Sequence, residues 1–399
     1  MTTQVGIIGA GPAGLTLALL LQKQGIASII LENRSQAYVE ARIRAGLLEQ
    51  NTVDLFDELG VAERLHTEGL VHHGTYLSFD GVRHYLPYTK LAKGREAVVY
   101  GQQEVVRDLI KACSERGVPI HFEADATKIE GLETNNPTIH FTKNAEKQTL
   151  NCSFVAACDG YHGIGRKHLP QGSYNEYRIE YPFSWLGILA YAPPSCDELI
   201  YAYHENGFAL SSLRSPTVSR LYLQVDNDDK IENWSDDAIW NELEKRLAVR
   251  PIAGAENGAG WTLQRGEIFE KGITPMRSFM IDKMQHGRLF LTGDAAHIVP
   301  PTGAKGLNLA IADTRVLAKA LTHFFKKNKS NLLDSYTETC LRRIWRVQDF
   351  SNFMTYLMHK QAPHGSFEYH LQKAKFDYIR TSKAQATTIA ENYVGLKNI

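Results

Sequence analysis

The chain has little of what marks several large functional classes. Its five cysteines, at 113, 152, 158, 196 and 340, are odd in number and form no CxxC pair. That pattern argues against a disulfide framework and leads us to expect a reducing, cytoplasmic setting. There is no HExxH and no paired Cys/His cluster, so no metal centre is expected. Forty-four Lys and Arg balance forty-four Asp and Glu. A net charge of zero argues against nucleic acid or an anionic membrane as partner. The short basic runs Lys326-Lys327 and Arg342-Arg343 read as solvated helix faces. No apolar run reaches the ~18 residues of a membrane span. The first residues lack the basic-then-apolar pattern of a secretory signal, and no repeat or low-complexity tract stands out. What remains is an ordinary globular composition over 399 residues, enough for two to three domains.

Glycine marks the start of the chain's chemistry. Residues 4–9, QVGIIG, are apolar and β-branched, residues 13–24 have helical character up to Gly25, and 27–32, ASIILE, return to strand. Between the first strand and the helix lies Gly9-Ala-Gly11-Pro-Ala-Gly14, a GxGxxG. Gly9 permits a tight turn, Gly11 lets the backbone approach a pyrophosphate, and Gly14 lets helix and strand pack closely. The helix N-terminus attracts phosphate, and Glu32, 18 residues after Gly14, is placed to accept from ribose hydroxyls. A glycine-rich turn alone would be weak. Strand, helix and acid in register point to a bound dinucleotide, without separating FAD from NAD.

The spacing predicts a helix over 46–66, strands within 72–100, a helix over 102–116, and strands at 118–122, 137–141 and 147–158. Residues 181–226 alternate with period 2 and are rich in Tyr, Phe, Leu and Ser, as in antiparallel sheet. A helix over 235–247, a Gly/Ala-rich loop over 250–261, strands at 263–281 and 288–293, and helices from 305 complete the pattern. The expected class is α/β: a GxGxxG βαβ domain, an inserted antiparallel-sheet domain, and a C-terminal helical region. The expected boundaries are 1–180, 181–275, 276–350 and 351–399, with part of 72–100 joining the sheet domain.

Two further stretches complete a signature. Residues 156–166, AACDGYHGIGR, contain Asp159, Gly160 and Arg166, and residues 293–310 read GDAAHIVPPTGAKGLNLA. With GxGxxG these marks resemble, in order and spacing, the FAD-dependent aromatic hydroxylases. ARIRAGLLEQ (41–50), YGQQEV (100–105), the 199–224 segment and AENYVGL (390–396) extend the resemblance over nearly the whole chain, toward members that hydroxylate 4-hydroxybenzoate.

The resemblance implies an FAD-binding domain, a substrate sheet domain, a C-terminal region that helps form a homodimer, and roles for individual residues. Gly9, Gly11, Gly14, Glu32, Arg42, Arg44, Gln102, Asp159, Asp294, Lys305, Leu307 and Asn308 would hold or adjoin FAD. Asp294 would meet the ribityl chain and Asn308 the ring. Lys305 would place positive charge near the flavin, although a solvent-exposed lysine fits the pattern equally well. Tyr38, Arg42, His162 and Arg277 would contact the reductant, NADPH or NADH. Gly165 departs from the serine usual at its position.

Ser212 and Arg214 share a strand face at i, i+2. A turn centred on Thr217 would set Tyr222 opposite Ser212. Alone, the three also fit a surface arginine and two sheet-filling hydroxyls. By resemblance they hold the carboxylate of a benzoate. At the other end of the ring Tyr201 would bond the phenol, Tyr393 would contact Tyr201, and His72 would link the pair to solvent. Pro301 would offer its carbonyl to the substrate hydroxyl. The implied reaction is hydroxylation of 4-hydroxybenzoate at C3 to 3,4-dihydroxybenzoate by O2 through a flavin C4a-hydroperoxide. Hydroxylation of 3-hydroxybenzoate or 4-aminobenzoate, and a binding protein without redox activity, remain alternatives.

Overall fold

The computed structural model describes residues 1–43, 46–250 and 260–396. Arg44 and most of the 250–261 loop lie outside the described residues.

The first strand, Val5–Ile8, is buried along its whole length and lies between parallel neighbours Ser28–Leu31 and Phe154–Ala157. Strand Leu289–Leu291 extends the same sheet on the Phe154 side, and Ile120–His121 on the other, giving six strands with the antiparallel edge Gln285–His286. Helix Pro12–Lys23 crosses over this sheet. Its residues Ala13 to Leu21 are all buried, because helices Gln102–Glu115 and Gly306–Lys327 pack against it. A helix apolar on every side is stable only in such a sandwich.

The second sheet has eight strands. From one edge to the other these are His297–Ile298, Glu267–Ile281, Glu176–Tyr191, Val218–Val225, Ala209–Ser215, Leu199–Tyr203, Gly74–Phe79 and Val82–Pro87. Alternate residues separate its two faces. Leu186, Ile188, Ala202, Leu221 and Leu223 pack with helix Asp236–Leu247 on one side. Trp185, Tyr201, Leu210 and Met276 pack with helices Tyr336–Met358 and Lys383–Val394 on the other. The second face carries the candidate site.

Two sequence expectations need correction. The helix over 46–66 is a strand and two helices: Leu47–Glu49, Gln50–Leu59 and Glu63–Glu68. Leu47–Glu49 pairs with Ala97–Val99, and that pairing overrides helical periodicity. The helix ends at Gly60, whose φ of 64° is a left-handed cap. Separately, the boundaries at 180/181 and 275/276 fall inside the continuous strands Glu176–Tyr191 and Glu267–Ile281. These two strands pair with each other on both sides of each boundary, as one continuous ribbon of the eight-stranded sheet.

Candidate active site

The glycine-rich turn is shaped by what cannot fit. Gly9 has φ of 103°, and a side chain there would strike Cys158 O at 2.4 Å. A Cβ on Gly14 would sit 2.0 Å from Gly9 O. Gly11 is different: a Cβ there would meet nothing within 4 Å. The cradle is closed at its flanks and open where a pyrophosphate would approach the first turn of Pro12–Lys23, so these residues fit a dinucleotide. Glu32 is fixed beside it, accepting from Ala10 N at 2.7 Å and Arg34 N at 2.9 Å. Arg42 is exposed at the end of helix Gln36–Ala41, and Gln102 opens helix Gln102–Glu115.

Asp159 stands next to Gly9 through the shared backbone contact at Cys158. Its Oδ2 accepts from Gly165 N at 2.8 Å. Burial pushes this carboxyl up, against the pull of the backbone amides it accepts from. Gly165 resolves its own departure from the family pattern: a Cβ there would lie 2.2 Å from Ala157 Cβ. The backbone amide alone reaches Asp159, and no serine fits without a shift. Arg166 ties this motif to the second one, donating to Ala295 O at 2.9 Å and Tyr161 O at 2.8 Å. There Asp294 is exposed, while His297 and Gly293 N both bond Asp313 Oδ2, at 2.6 and 3.0 Å.

The two prolines lead into a tight turn, Pro301–Gly303, in which Pro301 O accepts from Ala304 N at 2.8 Å. The following helix, Gly306–Lys327, begins at Gly306. Lys305 is neither exposed nor free. It is 1% exposed, pairs with Glu49 at 2.9 Å and donates to Tyr393 O at 2.6 Å. Glu49 also takes Arg343 at 2.8 Å. Burial would raise the Glu49 carboxyl, but Lys305 and Arg343 outweigh it and hold it below its ordinary range. Burial lowers Lys305 more than Glu49 raises it, and Arg343 lowers it a little further. One carboxylate serves two cations. Asn308, expected at the flavin ring, spends its amide inside the protein: it accepts from Glu49 N and Thr52 Oγ1, each at 2.8 Å, and donates to Leu47 O at 2.8 Å. It clamps strand Leu47–Glu49 to the helix. Leu307 packs partly buried against the nucleotide-side core.

On the sheet face, Tyr201 and Tyr393 are buried with their hydroxyls 2.8 Å apart. Burial raises both phenols well above the ordinary tyrosine value. The hairpin register differs from expectation. Ser212 faces Arg220 and Tyr222 faces Leu210, because the turn closes as Ser215 with Val218 and a bulge falls at Arg214. Ser212 and Tyr222 still share the face as diagonal neighbours. Ser212 Oγ donates to Arg220 O at 2.9 Å, and Arg214 reaches Gln103 Oε1 at 3.2 Å. Burial first, and then Arg220, push Arg214 down to about 10. His72 is fully buried, and its Nδ1 lies 2.7 Å from Glu198 Oε2. Its partner Glu198 has a side chain that is 12% exposed.

His162 and Arg277 are exposed around Tyr161, with the Arg277 guanidinium 5.1 Å from its ring centre. Tyr38 is exposed under Arg34 at 5.2 Å. Sequence reasoning missed Arg220, whose buried Nε and Nη1 lack partners and whose guanidinium lies 5.2 Å from the Tyr222 ring centre. Period 2 was the available signal, since Arg220 is two residues before Tyr222. Glu49, Tyr88 and Glu198 carried no local signal.

Comparison with known proteins agrees with this geometry. The family described as FAD binding domain matches residues 2–351. The chain is 45% identical over 396 residues to p-hydroxybenzoate hydroxylase of Acinetobacter baylyi, covering 99% of this chain and 96% of that protein. It is 24% identical to 3-hydroxybenzoate 6-hydroxylase 1 of Aquipseudomonas alcaligenes, across 88% of this chain and 89% of that one. The crystal structure of p-nitrophenol 4-monooxygenase from Pseudomonas putida DLL-E4 shares the fold, with a TM-score of 0.79 at 19% identity over 99% of both chains. Among the described residues no helix is long and apolar enough to cross a membrane. The chain is a flavin-dependent aromatic monooxygenase and belongs to the p-hydroxybenzoate hydroxylase family.

Proposed function

We propose that this enzyme converts 4-hydroxybenzoate, O2, NAD(P)H and a proton into 3,4-dihydroxybenzoate, water and NAD(P)+. The observation that carries this reading is one sheet face with a cation at one end and a phenol-matching hydroxyl pair at the other. Arg214 offers a planar fork to the substrate carboxylate, with Ser212 and Tyr222 adding directional bonds. Tyr201 takes the phenol end, and its hydroxyl stays protonated because burial raises it. It therefore donates to a phenolate and stabilises the charged form that feeds electron density to the ring. Pro301 O keeps a lone pair beyond its bond to Ala304 N for the substrate hydroxyl.

Gly9, Gly11, Gly14, Glu32, Arg42, Gln102, Asp159 and Asp294 hold FAD, which when bound and reduced supplies the oxygen chemistry. Arg42, Tyr38, His162 and Arg277 meet the reductant from the exposed side. The buried core around Tyr201 keeps water from the reacting ring. We place the enzyme in the cytoplasm as a homodimer. Support for a second copy is the apolar stripe Phe367, Leu371 and Tyr378, exposed along helix Phe367–Thr381.

The test is NAD(P)H oxidation with and without 4-hydroxybenzoate, with the product identified. Stimulated oxidation with 3,4-dihydroxybenzoate as product is expected. Stimulation that yields only hydrogen peroxide makes 4-hydroxybenzoate an effector and leaves 3-hydroxybenzoate or 4-aminobenzoate as substrate. A colourless protein that cannot be loaded with FAD would overturn the reading outright.

A further inference from the structure

We propose that Tyr88 carries a proton in this enzyme, joining the Tyr201–Tyr393 pair to His72 and Glu198. The inference rests on the phenolate reading above and adds a residue to it. Tyr88 opens the short helix Tyr88–Leu91, which is tied to the end of strand Leu70–His72 by Thr89 N donating to His73 O at 3.2 Å. The side chain is fully buried, and its hydroxyl makes no hydrogen bond of good geometry. The Thr75 hydroxyl beside it donates instead to Leu199 O at 2.9 Å. Burying a hydroxyl unpaired is costly, and phenylalanine would avoid that cost.

Position explains what the hydroxyl is for. The Tyr88 ring stacks on Tyr393 with centres 4.7 Å apart and planes at 25°. Burial raises Tyr88 most, followed by Tyr201; the Thr75 hydroxyl pulls it down, and Glu198 and Tyr85 raise it further. Tyr393 in turn feels Tyr201, Tyr88 and Glu198. A cation, Lys305, lies beside this group, with Nζ 5.4 Å from the Tyr393 ring centre.

A second buried atom is orphaned in the same place: His72 Nε2. Glu198 fixes its role. The carboxylate accepts from His72 Nδ1, so Nε2 of the neutral ring presents a lone pair to the interior. Glu198 is itself held by His73 N at 3.1 Å and Tyr85 OH at 3.2 Å. One water placed between them would satisfy both orphaned atoms, Tyr88 Oη and His72 Nε2.

The proton count balances along this path. The phenol O–H of the substrate breaks and its proton goes to Tyr201, which passes its own to Tyr393. Tyr393 passes one toward Tyr88, and the bridging water delivers one to His72 Nε2. Each tyrosine ends neutral. The net change is phenol to phenolate and imidazole to imidazolium, the latter beside the Glu198 carboxylate.

The test uses the FAD-loaded enzyme and Tyr88→Phe, which keeps the ring stack and removes one oxygen. Stopped-flow absorbance follows phenolate formation from bound 4-hydroxybenzoate. Formation is expected to slow roughly tenfold, with substrate Kd unchanged. His72→Gln added to Tyr88→Phe should slow it no further, because both act on one path. A parental rate in Tyr88→Phe, or slowing that adds independently to that of His72→Gln, overturns the inference. Tyr201→Phe separates the two levels. If it also forms phenolate at the parental rate, the phenolate reading itself falls. If it abolishes phenolate and Tyr88→Phe does not, only Tyr88 falls. Should Tyr88→Phe fail to retain FAD, the proton inventory of the parent in mixed H2O and D2O decides. Several protons in flight are expected, and a single-proton line overturns the path.

Discussion

Arg214 shows how one residue's surroundings set its usefulness. Its guanidinium is lowered to about 10 by burial and by Arg220, so it remains charged at neutral pH at an energetic cost. A substrate carboxylate relieves both effects. As pH rises through about 10 the free enzyme loses this cation. We therefore expect kcat/KM for 4-hydroxybenzoate to fall with an apparent pKa near 10 in a pH–rate series. Arg214→Gln should remove that limb and raise KM about 10- to 100-fold, the worth of a hydrogen bond to a charged group. The glycines at the other end of the molecule were legible in sequence because each need is local: a turn, an approach, a close crossing. Lys305 was not legible. Its partner Glu49 is 256 residues away in sequence, and the backbone carbonyl it reaches belongs to Tyr393.

At the scale of elements, the buried Glu49–Lys305–Arg343 group fastens strand Leu47–Glu49 to the loop before helix Gly306–Lys327 and to helix Tyr336–Met358. Its value lies in completeness. Removing the carboxylate leaves the buried Lys305 and the partly buried Arg343 without a counter-charge. Glu49→Gln should therefore cost about 3–5 kcal/mol, read from urea unfolding of the holoenzyme. Adding Lys305→Met should recover part of the loss, and strict additivity would mean that the pair does not interact. Period-2 patterning found the substrate sheet, but it could not find the bulge at Arg214 that sets Ser212 against Arg220. A bulge depends on how a turn closes, which composition does not encode. Helical periodicity likewise missed strand Leu47–Glu49, since a three-residue strand is defined by its partner and not by its own pattern.

At the scale of the whole molecule, the sheet's inner face meets the C-terminal helices around His359. The imidazole is fully buried, with Phe183 and Phe208 ring centres at 4.5 and 4.4 Å, and Trp185 Nε1 donates to its Nε2 at 2.6 Å. Burial lowers it from 6.5 to about 3. The folded value lies below the unfolded one, so the stability it contributes is complete above pH 6.5 and is lost as pH falls toward 3. Thermal melts of the holoenzyme should show this acid loss, and His359→Phe should flatten it if the variant folds. The proposed homodimer is tested on the opposite surface. Phe367→Glu, at a residue 74% exposed, should shift the sedimenting species from dimer to monomer while FAD stays bound.

The bond between Tyr201 and Tyr393 joins residues 192 apart in the chain. At a synthesis rate of roughly 5–20 residues per second, Tyr393 leaves the ribosome about 10–40 seconds after Tyr201. The glycine cradle, the substrate sheet and the lysine loop are all made before it. A nascent chain can thus enclose flavin while the sheet still lacks its last tyrosine. In the order of synthesis, Tyr393 at the phenol end of the pocket is among the last parts of the site to be made.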